Sequence, residues 1–145
     1  MATLHSDALS PQFVGYQPGA NEEFMNSEQL AYFRQKLLAW KDSIVRESRE
    51  TMAALANGPI QEADLTDRAS SETDWGIHLR TRDRQRKLIA KIDSALYRIE
   101  TGEYGFCEVT GEPISLARLE ARPIATMTVE AQERHERNER VSRDD

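Results

Sequence analysis

Two segments of the chain carry apolar residues at alternating spacings of three and four. In the first segment, about 27–56, these residues are Leu30, Phe33, Leu37, Trp40 and Ile44. In the second, about 68–100, they are Leu88, Ile92, Ala95 and Ile99. This spacing is typical of the seam of a coiled coil. Because both stripes lie far from the turn between the segments, antiparallel pairing brings them together. The sequence therefore predicts a helical hairpin whose base is its stable part.

Start and stop signals mark the ends of both predicted helices. Asn26 suits the N-cap of the first helix, and Gln29 completes a capping box three residues later. The run Asn-Gly-Pro at 57–59 ends that helix, because Gly fits the C′ position and Pro cannot continue a helix. Asp67 is the predicted N-cap of the second helix, which ends at Gly102. Each arm of about 30 residues, at a rise of about 1.5 Å per residue, gives a rod of roughly 45 Å.

The predicted fold class is mainly α, with a long antiparallel coiled-coil hairpin, a small globular head and a C-terminal helix. Residues 1–24 form an N-terminal arm without hydrophobic period, for which a disordered tail and docking on the body both remain open. The hairpin covers 25–102 with an acidic tip at 59–69, the turn-rich head covers 103–127, and the last helix and tail cover 128–145. The expected core of the head is Phe106, Ile114, Leu116, Leu119 and Met127.

Charge is segregated along the hairpin. Residues 59–75 carry a net charge of −4, and residues 76–100 carry a net charge of +4. Capping and solvated charge are one explanation of the acidic run, because acids favour a helix N-terminus. The basic run fits either an ordinary wet helix face or contact with an acidic protein surface or a phosphorylated ligand. The combination, an acidic tip on a basic shaft, favours a probe that reaches into a deep site on a larger assembly.

Composition limits the classes of function. The net charge of −6 argues against general binding to nucleic acid or to an anionic membrane. No apolar run approaches the roughly 20 residues of a membrane span, and the N-terminus lacks the pattern of a signal peptide. A single cysteine excludes an internal disulfide framework. The sequence thus predicts a soluble, cytoplasmic protein.

An enzyme is not expected. The three histidines lie in the arm, on the shaft and in the last helix, and none stands beside a plausible nucleophile. Two carboxylates on the tip could add ligands to a Mg²⁺ held elsewhere, but they could not form a complete site alone. Cys107 looks like half of a zinc knuckle without its partner. A small buried packing residue, a redox-reactive thiol and a weak metal ligand beside His135 are the alternatives for it.

Six segments together resemble the DksA (DnaK suppressor) family of bacterial transcription regulators, which bind RNA polymerase without contacting promoter DNA. The resemblance runs from about Glu22 to Val141. The segments that carry it are Met25 to Arg34, Asp64 to Ala69, Arg80 to Arg84, Arg86 to Ile89, Tyr104 to Glu108 and Arg118 to Pro123. Because several motifs occur in the same order as in the family, they argue against a chance similarity.

The resemblance implies a hairpin inserted through the secondary channel of the polymerase toward its active site. The family's tip motif Asp-x-x-Asp-x-Ala corresponds to Asp64, Asp67 and Ala69, which are then the effector residues that shorten the lifetime of open complexes. Expected partners are bacterial RNA polymerase, at the channel and its rim, and the alarmone ppGpp. No direct DNA binding and no membrane are implied.

Further residues on the shaft and head acquire roles from the resemblance. Arg84 corresponds to a position of polymerase contact. Leu88, Lys91 and Arg122 correspond to positions that bind ppGpp at the polymerase interface. A further basic position of that site is Gln132 here, so weaker phosphate contacts are expected. No stably bound cofactor is expected.

The head departs from the family in its metal ligands. The four-cysteine zinc pattern falls on Cys107, Thr110, Thr128 and Ala131, so zinc is expected to be absent. Zinc-free members of the family exist, and the loss is compatible with function.

The function predicted on these grounds is a non-catalytic polymerase regulator that acts with ppGpp, repressing stable-RNA promoters and activating some biosynthetic ones. One alternative is a transcript-cleavage factor, which uses the same channel and whose acidic tip helps to hold the second catalytic Mg²⁺. The other is a plain coiled-coil interaction protein with no role at the polymerase.

Overall fold

The computed structural model describes residues 17–19, 21–56 and 65–144, with side chains described at 17–19, 21–56, 69–70 and 72–142. Over these ranges the chain forms four helices, α1 Ser27–Ala56, α2 Leu65–Thr101, α3 Leu116–Ala121 and α4 Val129–Asp144. The β structure within them is one isolated antiparallel bridge between Phe106 and Pro113. The mainly α fold is confirmed. Within the described residues, no helix has both the length and the apolar character that crossing a membrane requires.

The long helices α1 and α2 pair as an antiparallel hairpin. About midway along α1, Lys41 Nζ lies 2.7 Å from Asp93 Oδ1 on α2. Near the tip, Trp75 Nε1 on α2 donates a hydrogen bond to the Leu55 carbonyl on α1 at 3.3 Å. At about 1.5 Å per residue, the 30 residues of α1 and the 37 of α2 span about 45 and 55 Å.

The predicted seam of the hairpin is confirmed. The buried seam residues are Phe33, Leu37, Trp40, Ile44, Ile92 and Ala95. Leu30, Leu88 and Ile99 are partly buried against the same cluster. Toward the tip the seam becomes polar, with Thr51 as the last buried residue of α1. The apolar contact that stabilises the rod is therefore concentrated at its base, next to the head.

The start of α1 follows the predicted cap with one difference. Asn26 Oδ1 accepts from the Gln29 backbone N–H at 2.8 Å, as an N-cap does. In a capping box the side chain of Gln29 would bond back to the Asn26 N–H. Here Gln29 Oε1 accepts instead from the Met25 N–H at 2.7 Å. The fully buried Gln29 thus ties the end of the arm to the first turn of α1.

The start of α2 corrects the predicted N-cap. The helix begins at Leu65, so Asp67 is its third residue and not its cap. Asp64, Thr66 and Asp67 are all residue types that cap helices, and the sequence pattern did not choose among them. An acidic residue in the first turn still interacts favourably with the helix dipole. Asp64 and the rest of the predicted tip up to that residue lie outside the described residues.

The head packs around a core that only partly matches the expected one. Ile114 and Leu119 are fully buried as predicted, whereas Phe106 is 39% exposed, which corrects the prediction for that residue. Phe106 instead lies edge-to-face on Phe24 of the arm, with ring centroids 5.4 Å apart. The buried phenol Tyr104 occupies the centre of the head, and its hydroxyl donates to the Pro123 carbonyl at 2.8 Å.

Glu120 on α3 attaches the head to the base of the hairpin. Its carboxylate Oε1 accepts from the Tyr32 hydroxyl, and its backbone carbonyl accepts from Lys36 Nζ at 2.9 Å. Lys36 also forms an ion pair with the same carboxylate. Burial, and then the bond to Glu120, raise the pKa of Tyr32, so its hydroxyl stays a donor. These contacts set the orientation of α3 relative to α1.

Gly105 allows the arm, the head and the hairpin to meet closely. Its φ is +90°, in the left-handed region that side-chain-bearing residues avoid. A Cβ added there would also lie 2.9 Å from Met25 Cγ. The position therefore requires glycine for both backbone conformation and space.

Candidate functional site

A cavity of about 270 Å³ lies where the base of α2 meets the head. Three of its lining residues were candidates from the sequence: Lys91 on α2, Arg122 at the end of α3 and Gln132 on α4. The remaining residues are Ser94, Arg98, Arg118, Ile124, Ala125 and Thr126. The fold thus brings together three candidates that lie far apart in sequence.

Arg98 and Arg118 are cationic residues of this cavity that the sequence analysis missed. Arg118 is held in place because its Nε donates to the Met127 carbonyl at 2.8 Å. Arg98 is half-buried, and its buried Nε has no hydrogen-bond partner among the described residues. Burial lowers the pKa of Arg98, although nearby Tyr104 and Glu108 act in the opposite direction. A guanidinium remains charged in proteins, so both arginines contribute positive charge.

The electrostatics of the cavity favour an anion. Four cationic side chains line it, and the described lining residues include no carboxylate. Guanidinium groups bind phosphate oxygens through paired N–H donors, and a lysine adds a point charge. The backbone N–H of Arg122 is already bonded to the Arg118 carbonyl at 2.7 Å, so it is not free to bind the ligand. The cavity is therefore suited to a ligand that carries several phosphate charges.

Leu88 and Arg84 lie at a different place from the other candidates. They line a second cavity of about 320 Å³ between α1 and α2, and along α2 they precede Lys91 by about one and two helical turns respectively. Its other residues are Trp40, Ser43, Ile44, Glu47, Thr81 and Gln85. The structure therefore divides the predicted shaft and ppGpp residues between two neighbouring cavities.

The tip candidates are only partly described. Asp64 lies outside the described residues, and for Asp67 the structure describes the backbone in the first turn of α2. Ala69 is exposed, and its carbonyl accepts a hydrogen bond from the Thr73 hydroxyl at 2.9 Å. The effector role of these residues stays a prediction.

Trp75 ties the last turn of α1 to α2 near the tip. Leu55 belongs to the final turn of α1, where the carbonyls lack an N–H partner within their own helix. The Trp75 indole supplies one to the Leu55 carbonyl at 3.3 Å. No basic residue stands in the last turn of α1 to serve the same purpose. The indole thus acts as a capping donor across the hairpin.

We expect Trp75→Phe to loosen this end of α1 while the base of the hairpin stays intact. The variant keeps an aromatic ring but removes the donor, and a typical hydrogen bond contributes about 1 kcal/mol. Backbone amide exchange at Leu55 and Ala56 should accelerate roughly fivefold, and exchange at Leu37 should not change. Tyr97→Phe, at an exposed aromatic of the same helix, is the control. Unchanged exchange at Leu55 would show that the indole bond does not hold the helix end.

Two of the other positions of the expected zinc pattern, Thr110 and Thr128, contact the Cys107 thiol. Cys107 is 3% exposed, and Ala131 is also buried. Burial raises the pKa of the Cys107 thiol, but the Thr110 hydroxyl and backbone N–H groups of Thr110, Thr128 and Val109 lower it, to about 7 overall. One thiol, two threonines and an alanine do not fit a structural zinc ion, which takes four Cys or His ligands. Nor do the described residues contain a group of three or more His, Cys, Asp and Glu side chains that could hold a metal.

Comparison with known proteins finds matches to known families for both the hairpin and the head. Residues 29–99 match the family described as DnaK suppressor protein DksA, N-terminal domain. Residues 102–137 match the family described as prokaryotic dksA/traR C4-type zinc finger, although the chain has a single cysteine. The two matches cover the hairpin and the head.

Similar proteins extend over most of the chain. It is 69% identical over 130 residues to the RNA polymerase-binding transcription factor DksA of Caulobacter vibrioides, covering 90% of this chain and 92% of that protein. It is 40% identical over 115 residues to the factor of the same name from Escherichia coli K12, covering 79% and 76%. The structure of transcription factor DksA2 from Pseudomonas aeruginosa matches with a TM-score of 0.75 and 40% identity, over 90% of this chain and 99% of that one. Sequence, fold and the arrangement of hairpin and head therefore agree, and the chain belongs to the DksA family.

Proposed function

We propose that this protein is an RNA polymerase-binding transcription regulator that acts, without catalysis of its own, from the secondary channel of the enzyme. The observation that carries the proposal is the separation of two charged ends on one rod. The start of α2, with Asp67, lies at one end, and the four-cation cavity lies at the other. From Asp67 to the cavity residues Lys91 and Arg98, α2 rises by roughly 36 to 47 Å at about 1.5 Å per residue. Names of the similar proteins, which are polymerase-binding factors, support the choice of partner.

Each part of the molecule has a physical task in this proposal. The rod supplies reach, and the carboxylates of Asp64 and Asp67 act on the region around the catalytic centre. Their negative charge would repel or displace anionic groups and attract cationic ones there, which destabilises the open promoter complex. The head and the basic part of the shaft, including Arg84, dock on the rim of the channel. The protein works in the cytoplasm and does not bind DNA itself.

The cavity at the base is the proposed site for ppGpp. Lys91 and Arg122 bind its phosphates, and Arg98 and Arg118 add two cations on the same wall. Gln132 supplies a neutral amide where the family has a basic residue, and its Nε2 already donates to Glu136 at 3.0 Å. Leu88, in the neighbouring cavity, contributes apolar contact at the edge of the site. The ligand completes its contacts with the polymerase rim.

The test is multi-round transcription in vitro from a ribosomal RNA promoter with purified polymerase, with and without this protein and ppGpp. Repression by the protein that deepens with ppGpp supports the proposal. The same protein should release no short 3′ fragments from backtracked complexes, because a transcript-cleavage factor would do so. No change in transcription with or without ppGpp would contradict the proposal, and failure to co-purify with polymerase would favour a plain coiled-coil protein.

A zinc-free head is part of the proposal and makes a separate prediction. Apolar packing around Tyr104 and hydrogen bonds to the Cys107 thiol stabilise the head in place of a metal. The purified protein should therefore contain no stoichiometric zinc by elemental analysis, and a chelator should leave its Tm unchanged. A family member that keeps all four cysteines is the control, since removing a structural zinc unfolds such a module. A zinc content near one per chain would contradict the prediction.

A further inference from the structure

Tyr104 is hydrogen-bonded to both walls of the four-cation cavity. Its backbone N–H donates to the carbonyl of Arg98, in the last turn of α2, at 3.1 Å. Its hydroxyl donates to the carbonyl of Pro123, which directly follows Arg122, at 2.8 Å. Arg98 and Arg122 are two of the cations that line the cavity. A single residue thus joins the segment that carries one cation to the segment that carries the other.

The segment after α3 is a turn that carries part of the cavity wall. The Arg122 carbonyl accepts from the Ala125 N–H at 3.0 Å, which is the hydrogen bond of a β-turn with proline in its second position. Arg122, Ile124 and Ala125 all line the cavity. Pro123 is buried, and as a proline it keeps the preceding residue out of the helical region. Arg122 accordingly has a φ of −142° and a ψ of 84°. The position of this turn therefore decides where the Arg122 side chain begins.

The Tyr104 hydroxyl is held at a fixed point in the molecule. The residue is 1% exposed, and its ring packs on Phe33 of α1 with ring centroids 5.7 Å apart. Burial raises the pKa of Tyr104, so its hydroxyl stays protonated and can donate. Because the ring contacts α1 and the backbone is bonded to α2, the hydroxyl keeps its place relative to both long helices.

The placement of the cations matters for binding a ligand with several phosphates. A guanidinium binds phosphate oxygens through paired N–H donors in a fixed geometry, so a shift of its backbone weakens the pairing. Lys91 and Arg98 project from α2, a helix of 37 residues, whereas Arg122 follows a helix of only six. The turn at Arg122 is therefore the part of the wall that most needs support from the rest of the head.

We propose that Tyr104 is a positioning residue of this cavity, whose hydroxyl, through the Pro123 carbonyl, places the Arg122 guanidinium to bind phosphate together with Lys91. The inference rests on the proposed function, because ppGpp is the ligand that brings several phosphates to the cavity. Among the described residues, Tyr104 is not one that lines the cavity. It therefore acts through Arg122 and does not touch the ligand itself.

The test removes one oxygen atom. Tyr104→Phe keeps the ring on Phe33 but loses the bond to the Pro123 carbonyl. In the multi-round transcription assay we expect the half-maximal ppGpp concentration to rise about fivefold, as for the loss of a typical hydrogen bond, while repression without ppGpp stays at the parent's level. Thr51→Val is the control, because it also removes a hydroxyl-to-carbonyl bond, here to Glu47 at 3.1 Å, but lies toward the tip. That variant should respond to ppGpp as the parent does.

A double-mutant cycle separates a positioning role from a purely structural one. In the Arg122→Ala background, Tyr104→Phe should not raise the half-maximal ppGpp concentration further, because the side chain that it positions is gone. A further rise of about fivefold there overturns the inference, as does an unchanged half-maximal concentration for Tyr104→Phe alone. Repression without ppGpp that falls in parallel with Tm, measured by circular dichroism on the full-length protein, overturns it too. Parent protein that represses but does not respond to ppGpp overturns the proposed ligand and the inference together.

Discussion

We expect Asp67→Asn to bind RNA polymerase with nearly the parent's affinity and to lose most of its effect on open promoter complexes. The substitution keeps the shape of the side chain and removes one negative charge from the first turn of α2. The shaft and head, which we propose as the docking surface, lie at the other end of the rod, so docking should not change. The loss of one charge-dependent interaction of about 1.4 kcal/mol in the rate-determining state corresponds to about tenfold in rate. The measurement is the lifetime of competitor-challenged open complexes at a ribosomal RNA promoter.

The control for this variant is Asp74→Asn. Asp74 is exposed, belongs to the same acidic run and lies seven residues further along α2. It loses the same charge on the same helix, so a general effect of net charge would appear in both variants. Removing an acid from the first turn should cost Asp67→Asn only about 0.3 to 1 kcal/mol of helix stability. Open-complex lifetimes equal to the parent's in Asp67→Asn would show that charge at this position is not the effector.

The second large effect is expected at the cavity in the base. The double variant Lys91→Ala and Arg122→Ala should still bind polymerase and repress in the absence of ppGpp, but should lose the added effect of ppGpp. Hydrogen bonds to charged groups contribute about 1.5 to 3 kcal/mol each, so the half-maximal ppGpp concentration should rise by about a hundredfold or more. The fold should tolerate the change, because the capping contact of Arg122 is made by its backbone N–H and not by its side chain.

Two further variants, a control outside the cavity and a substitution that adds a cation to it, test whether the effect is specific to the cavity. Lys87→Ala removes an exposed cation of α2 that lies outside the cavity, and it should leave the response to ppGpp unchanged. Gln132→Lys places a fifth cation in the cavity and should lower the half-maximal ppGpp concentration. If the double variant responds to ppGpp like the parent, the phosphates bind elsewhere. If Gln132→Lys weakens the response, position 132 does not face the ligand.

The hairpin could be predicted because the sequence signals that specify it are local and periodic. Alternating spacings of three and four identify the seam, and the Asn26 cap and the run at 57–59 delimit α1 without knowledge of the tertiary structure. The predicted N-cap of α2 was wrong, because Asp64, Thr66 and Asp67 are all residue types that cap helices and the sequence did not choose among them. The sequence analysis did not use Gln85, which stands three residues before Leu88, and only the structure shows that its side-chain oxygen is buried without a hydrogen-bond partner among the described residues.

The head was harder to predict because its contacts are non-local and its helix is short. The six-residue α3 was missed, although Ser115, which accepts from the Arg118 N–H at 3.2 Å, carries the signal of an N-cap. Phe106 was assigned to the core, whereas the structure exposes it and buries Tyr104, whose hydroxyl donates to the Pro123 carbonyl.

The candidate site shows the same division between local and non-local information. Lys91, Arg122 and Gln132 were chosen through the family resemblance, and no spacing in the sequence indicates that they share a cavity. Arg98 stands seven residues after Lys91, on the same face of α2, which was an available signal for one missed cation. Arg118 lines the cavity and its Nε binds the Met127 carbonyl, a contact that depends on the folded head.

If the tip acts deep within the polymerase, a cross-linker placed at the tip should reach the region of the catalytic centre. A photo-reactive amino acid in place of the exposed Ala69 should attach to polymerase segments around the catalytic centre. The same amino acid in place of Tyr97, an exposed residue near the base of α2, should attach to the outer rim of the channel. Cross-links from both positions to the same outer surface, or none from position 69 when the protein is bound, would show that the tip does not reach the catalytic centre.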